Sequence, residues 1–103
     1  MYSVILSPEA EADLVEIYLV NARCGFPENA AGFIDKVWSF CQDLQTFPNR
    51  GTARSDIAPG LRTVSFNKQV NIIFEVIEKE KLVTIARIVN GRRNLEKALK
   101  HVR

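Results

Sequence analysis

Three arginines fall within seven residues at the end of an apolar run, in Arg87-Ile88-Val89-Asn90-Gly91-Arg92-Arg93-Asn94, with a glycine turn among them. A guanidinium is a planar, permanently charged fork that binds carboxylate or phosphate through two parallel hydrogen bonds. Held at the end of a rigid strand, such groups suit phosphate chemistry or the docking of an acidic partner. Adjacent arginines at a turn are also commonly just solvated. The rest of the chain offers little other chemistry. His101 is the one histidine, and there is no Ser-His-carboxylate set, no CxxC spacing and no glycine-rich phosphate loop. No metal or cofactor is expected.

The elements that must position the arginines follow from the pattern. The chain of 103 residues, 47% apolar and 25% charged, is expected to be a single domain over residues 1–103 with one core. It has no apolar run long enough for a membrane span and no signal peptide at its start, so a cytoplasmic location is expected. Cys24 and Cys41 read as small helix hydrophobes rather than a disulfide. Charge is unevenly spread. Residues 1–50 carry three basic and seven acidic residues, net −4, while residues 51–103 carry eleven and five, net +6. The second half therefore faces an acidic partner, protein or nucleic acid, or has a solvated basic face.

Residues 2–6 alternate as a short strand with Tyr2, Val4 and Leu6 on one face. Ser7-Pro8-Glu9 reads as a helix start, and Ala10, Leu14, Ile17 and Tyr18 give that helix an apolar face ending near Cys24-Gly25. A second helix starts at Pro27-Glu28 with the stripe Ala30, Phe33, Ile34, Val37, Trp38, Cys41 and Leu44, and ends at Phe47-Pro48. The two should form an antiparallel hairpin. Residues 49–60 read as an irregular loop. Three strands follow over residues 61–66, 69–77 and 81–89, with turns at Asn67-Lys68 and Glu78-Lys79-Glu80. Residues 94–102 read as a terminal helix capped by Asn94. The predicted fold is α+β, with an N-terminal strand and antiparallel helical hairpin packed on one face of a mostly antiparallel sheet (β-α-α-β-β-β with a short C-terminal helix).

Turn lengths decide which side chains share a face, because strand side chains alternate. A tight turn at Lys79-Glu80 pairs Ile77 with Leu82 and Ile72 with Arg87. Val70, Ile72, Phe74 and Val76 then share a face with Val83, Ile85, Arg87 and Val89 under the helices. Arg87 lies at its margin and needs a carboxylate or carbonyl partner. A tight turn at Asn67-Lys68 puts Arg62, Val64 and Phe66 on the opposite face with Asn71, Ile73 and Glu75. That mixed face reads as a binding surface, or as one partly covered by the C-terminal segment.

The order and spacing of several short motifs resemble the RelE/ParE superfamily of bacterial toxins. They are Leu6-Ser7-Pro8-Glu9-Ala10, Phe47-Pro48 with Gly51, Gly60-Leu61-Arg62, Asn71-Ile72-Ile73-Phe74-Glu75-Val76 and Ile85 through Asn94. RelE-type members cleave messenger RNA on the ribosome, with basic groups for the phosphorane-like transition state and a side chain that transfers a proton. Carried onto this sequence, Arg62 and Arg93 keep the positive charge. The central-strand arginine position falls on Asn71 and the aromatic acid/base position on Leu99, leaving His101 as the one candidate replacement.

Those departures resemble the ParE branch, whose members inhibit DNA gyrase and trap it with cleaved DNA. The resemblance implies a ParE-like toxin of a type II toxin–antitoxin pair, of the plasmid-stabilisation kind, that acts by protein–protein binding and is neutralised by a ParD-like antitoxin. It implies no catalytic residue, no cofactor, no membrane and no sequence-specific nucleic-acid binding by the toxin alone. Arg62, Arg87, Arg92 and Arg93 are then the candidate contacts with gyrase or antitoxin. The alternatives are a RelE-like ribosome-dependent endoribonuclease, or a degenerate member that binds antitoxin without toxicity.

Overall fold

The computed structural model describes residues 1–24 and 27–100, with the backbone alone at Cys24, Pro27, Glu28, Arg92 and Arg93. Strand β1 (Ser3–Leu6) leads through Ser7 into helix α1 (Pro8–Cys24). The Ser7 hydroxyl accepts the Ala10 N–H at 3.0 Å, as a helix N-cap should, and donates to the Ala86 carbonyl at 2.8 Å. One side chain thus starts the helix and fastens it to a distant strand. Helix α2 (Pro27–Gln42) returns along α1. Ala30, Val37, Cys41 and Leu44 of the expected stripe are buried, and Phe33, Ile34 and Trp38 pack beside them. Next come β2 (Thr52–Ala53), β3 (Leu61–Phe66), β4 (Val70–Ile77), β5 (Leu82–Asn90) and helix α3 (Arg92–Leu99).

The five strands form one sheet in the order β1-β5-β4-β3-β2, with β1 parallel to β5 and the other pairs antiparallel. Two registers differ from the sequence expectation. The β3–β4 hairpin has three loop residues, 67–69, rather than two. The Gln69 N–H closes it onto the Phe66 carbonyl, and Phe66 pairs with Val70. This one-residue shift moves Arg62, Val64 and Phe66 to the helix-covered face. There Phe66 packs at a tilt against Phe33 and Phe40 of α2, with ring centroids 6.1 and 5.2 Å away.

The β4–β5 hairpin starts as expected, with Ile77 opposite Leu82, but a bulge intervenes at Ile73/Phe74. Phe74 pairs with Ile85 and Ile73 with Arg87, which leaves Ala86 as the extra residue. Ile72 therefore pairs with Ile88, not with Arg87. Ile88 joins the core under the helices, and Val89 turns to the other side.

That other face is not an open binding surface. Leu61, Ile73 and Val89 form a second core with Ala98 and Leu99 of α3, and Ile57, Ala58 and Leu95 pack around it. Ile73 is fully buried. Of the two readings of this face, cover by the C-terminal segment is the observed one. Helix α3 begins at Arg92, two residues before the expected start. Asn94 is not its cap but lies inside it, donating from Nδ2 to the Asn90 carbonyl.

The connection between helix and sheet carries a short edge strand, β2, rather than being wholly irregular. Gly51 precedes it at φ +72°, and a Cβ built there would lie 2.0 Å from the Thr63 carbonyl oxygen. Only glycine allows this approach. Gly51→Ala should cost more than about 1 kcal/mol. Thermal unfolding followed by circular dichroism would then show a midpoint lowered by at least about 4 °C.

Candidate functional site

The exit of β5 gathers the arginines. β1 pairs with β5 only as far as Ile85, so beyond that point the edge of β5 has no strand beside it. Edge backbone groups need other partners. The first turns of α1 supply them. Besides the Ser7 bond to Ala86, the Asp13 carboxylate accepts the Ile88 N–H at 2.9 Å. The same carboxylate accepts Arg87 Nε at 2.7 Å and Nη2 at 3.0 Å. Asp13 is thus the carboxylate that Arg87 was expected to require. These bonds hold the guanidinium above its already high ordinary pKa, against the opposing effect of burial. The Arg87 side chain keeps 35% of its surface exposed and the Asp13 side chain 16%.

Arg62 sits on β3, two strands away from β5 and so about 10 Å from it across the sheet. Its guanidinium holds the loop before β2. Nε donates to the Arg50 carbonyl at 2.9 Å, and Nη2 donates to those of Asn49 and Gly51 at 2.9 and 3.4 Å. The structure therefore does not bring Arg62 together with the β5 cluster. Arg92 and Arg93 open α3 directly after Gly91, which has φ +83°. Their side chains lie outside the described residues, as does His101.

The two positions that depart from the nuclease pattern have structural work of their own. Asn71 accepts the Ser65 hydroxyl at 2.8 Å and donates to the Gly91 carbonyl at 3.1 Å. The Gly91 N–H in turn donates to the Gln69 carbonyl at 2.7 Å. Asn71 thus fixes the turn from which α3 departs. Leu99 is 4% exposed and belongs to the second core. Neither side chain can transfer a proton.

Beside the cluster, α1, the end of β5 and α3 enclose a cleft of about 820 Å³. Arg87, Val20 and Glu16 line it together with Lys97 and Lys100 of α3. The sequence reading missed Asp13, Lys97 and Lys100. Asp13 had only a weak signal, because Glu9, Glu11 and Glu16 lie on the same helix and nothing local singles it out. The lysines had none, because only the folding-back of α3 puts them opposite α1. Cys41 is buried and its thiol is pushed up to about 12 by that burial, so it is not a reactive group. Among the described residues no cluster could hold a metal ion, and no helix is long and apolar enough to cross a membrane.

Residues 4–95 match the family described as the ParE toxin of the type II toxin–antitoxin system parDE. The chain belongs to the ParE toxin family. Toxin ParE3 of Caulobacter vibrioides is 36% identical over 95 residues, which cover 92% of each chain. A chain from the chromosomal ParDE system of P. aeruginosa superposes with a TM-score of 0.75 at 28% identity, over 89% of this chain and 98% of that one. The isolated E. coli RelE toxin shares the fold, with a TM-score of 0.65 at 11% identity over the full length of both chains. The α+β architecture expected from the sequence is thus that of the RelE/ParE superfamily.

In this ParE-family fold the Asp13 clasp carries a direct test. Asp13→Ala leaves the Arg87 guanidinium and the Ile88 N–H without their partner, which should cost about 1–3 kcal/mol. Urea titration would show a lower midpoint with an unchanged slope. A midpoint equal to that of the parent protein would mean that the clasp contributes nothing.

Proposed function

We propose that this ParE-family toxin inhibits DNA gyrase by protein–protein binding and is neutralised by a cognate ParD-like antitoxin. The observation that supports a binder over a nuclease is the state of the two departing positions. Asn71 is committed to Ser65 and Gly91, and Leu99 is sealed in the second core. Arginines beside two positions whose side chains cannot transfer a proton favour holding an anionic surface over cleaving a phosphodiester. The antitoxin pairing rests on the family, and on the net charge of +6 over residues 51–103, which suits an acidic partner. Gyrase as target places the toxin in the cytoplasm.

Within this reading the four arginines divide. Arg62 and Arg87 each commit Nε and Nη2 to oxygens of the protein itself and mainly shape the surface. Arg92 and Arg93 are the contact residues. Purified toxin should block gyrase supercoiling and accumulate cleaved DNA. An Arg92→Ala/Arg93→Ala variant should lose about tenfold or more in potency while melting as the parent does. No effect on gyrase at saturating toxin would overturn the proposal. Codon-associated cleavage of message in a translation extract would assign the protein to the RelE-like nucleases instead.

A further inference from the structure

Helix α1 carries a second apolar face, on the side away from the core. Val15 is 58% and Leu19 39% exposed, with Ala12 and Ala22 beside them. Ile17, midway between the two, points the opposite way into the main core. Beside Val15, the outer groove between α1 and α2 has a volume of about 320 Å³ and is walled by Leu14, Tyr18, Ala31, Ile34 and Asp35. An apolar face of this kind calls for cover.

The order of residues on that face says what fits it. Glu11, Val15, Leu19 and Arg23 follow one another at four-residue spacing, all exposed, and so form one row along the helix. Read from either end, the row runs charge, apolar, apolar, charge, with the acid at one end and the base at the other. Ala12 and Ala22 flank it at equal distances from the midpoint. Such a row is complementary to its own reverse. Turned end for end, it sets Val15 on Leu19, Leu19 on Val15, and Glu11 toward Arg23. A twofold axis makes that contact twice, the same patch serving on both sides. Asp13 and Val20 lie on other sides of α1 and line the cleft toward α3, so the pairing covers neither.

We propose that the outer face of α1 seats a second copy of this chain, in a twofold pairing with the two α1 helices antiparallel. Rows of residues four apart pack on each other at an interaxial angle of about −50°. The apolar pairs then meet at the crossing point, and the longer Glu11 and Arg23 side chains bridge the diverging ends. Leu19 of the second copy enters the groove beside Val15, against Tyr18 and Ile34. A parallel pairing would set Glu11 on Glu11 and Arg23 on Arg23, so the charges select the antiparallel one. The pairing stands apart from the target and the antitoxin proposed above, since it uses none of the residues assigned to them.

Sedimentation velocity of the purified toxin, over roughly a hundredfold range of micromolar concentration, reads the pairing by mass action. The wild-type protein should move from monomer to dimer, and Val15→Glu/Leu19→Glu should raise the midpoint about tenfold or more. Glu11→Arg and Arg23→Glu each place like charges together at both ends of the dimer and should weaken it by about threefold or more. The double variant Glu11→Arg/Arg23→Glu should return it to within about twofold of wild type. Restoration by the double swap is a readout that a merely structural role would not move. Each single swap also opposes the helix dipole, which lowers its melting temperature without touching the association of folded chains. A wild-type toxin that stays monomeric throughout overturns the proposal. So does a dimer that Val15→Glu/Leu19→Glu forms as readily as wild type, since another surface would then hold it. Single swaps without effect, or a double swap that fails to restore the dimer, overturn the antiparallel pairing.

Discussion

One carboxylate joins the helical layer to the sheet where the sheet has run out of strand. β1 covers β5 only to Ile85, and from Ala86 onward the edge is completed by α1. Ser7 takes the Ala86 carbonyl, and Asp13 takes both the Ile88 N–H and the fork of Arg87. An edge finished by side chains, rather than by another strand, cannot be extended by a passing chain. The arrangement also fixes the direction in which β5 leaves the sheet, and hence where Gly91 and α3 begin.

The bulge beside this clasp divides the hydrophobic residues of β5 between two cores. Val83, Ile85 and Ile88 face the helical hairpin, while Val89 faces α3. The three-residue loop between β3 and β4 has a matching effect on the other side of the sheet. It turns Arg62 toward the loop at residues 49–51, where the guanidinium ties down three carbonyls, and it turns Phe66 into the aromatic cluster of α2. Both faces of the sheet are thereby covered, and exposed apolar side chains collect elsewhere. Val15, Leu19 and Val20 on α1 are among them.

The arginines illustrate how little a charge cluster says before its neighbours are known. Arg62 and Arg87 each lie in a family motif, yet Nε and Nη2 of both are engaged by the protein's own oxygens. A guanidinium with its fork filled still contributes field and an exposed edge, but it holds a partner less tightly than a free one does. The mixed sheet face is thus closed by the protein's own side chains, and Lys97 and Lys100 of α3 line the cleft beside it together with Glu16.

Much of the fold was legible in the chain because it rests on local chemistry. Ser7-Pro8 starts a helix, the stripe from Ala30 to Leu44 buries one face, and the β-branched runs from Leu61 to Asn90 form the antiparallel strands. The need of Arg87 for a carboxylate was legible too, since it follows from the cost of burying charge. The identity of Asp13 was not, for nothing local links residues 74 positions apart. The faces of Arg62 and Val89 were equally hidden. Each turned on a single residue, one in a loop and one in a bulge, and a period of two converts any such step into a change of side. The sequence by itself determined which elements form and that arginines gather at the end of the last strand. Only the tertiary structure decided that Arg87 closes onto Asp13, because that depends on packing between distant segments rather than on any local preference.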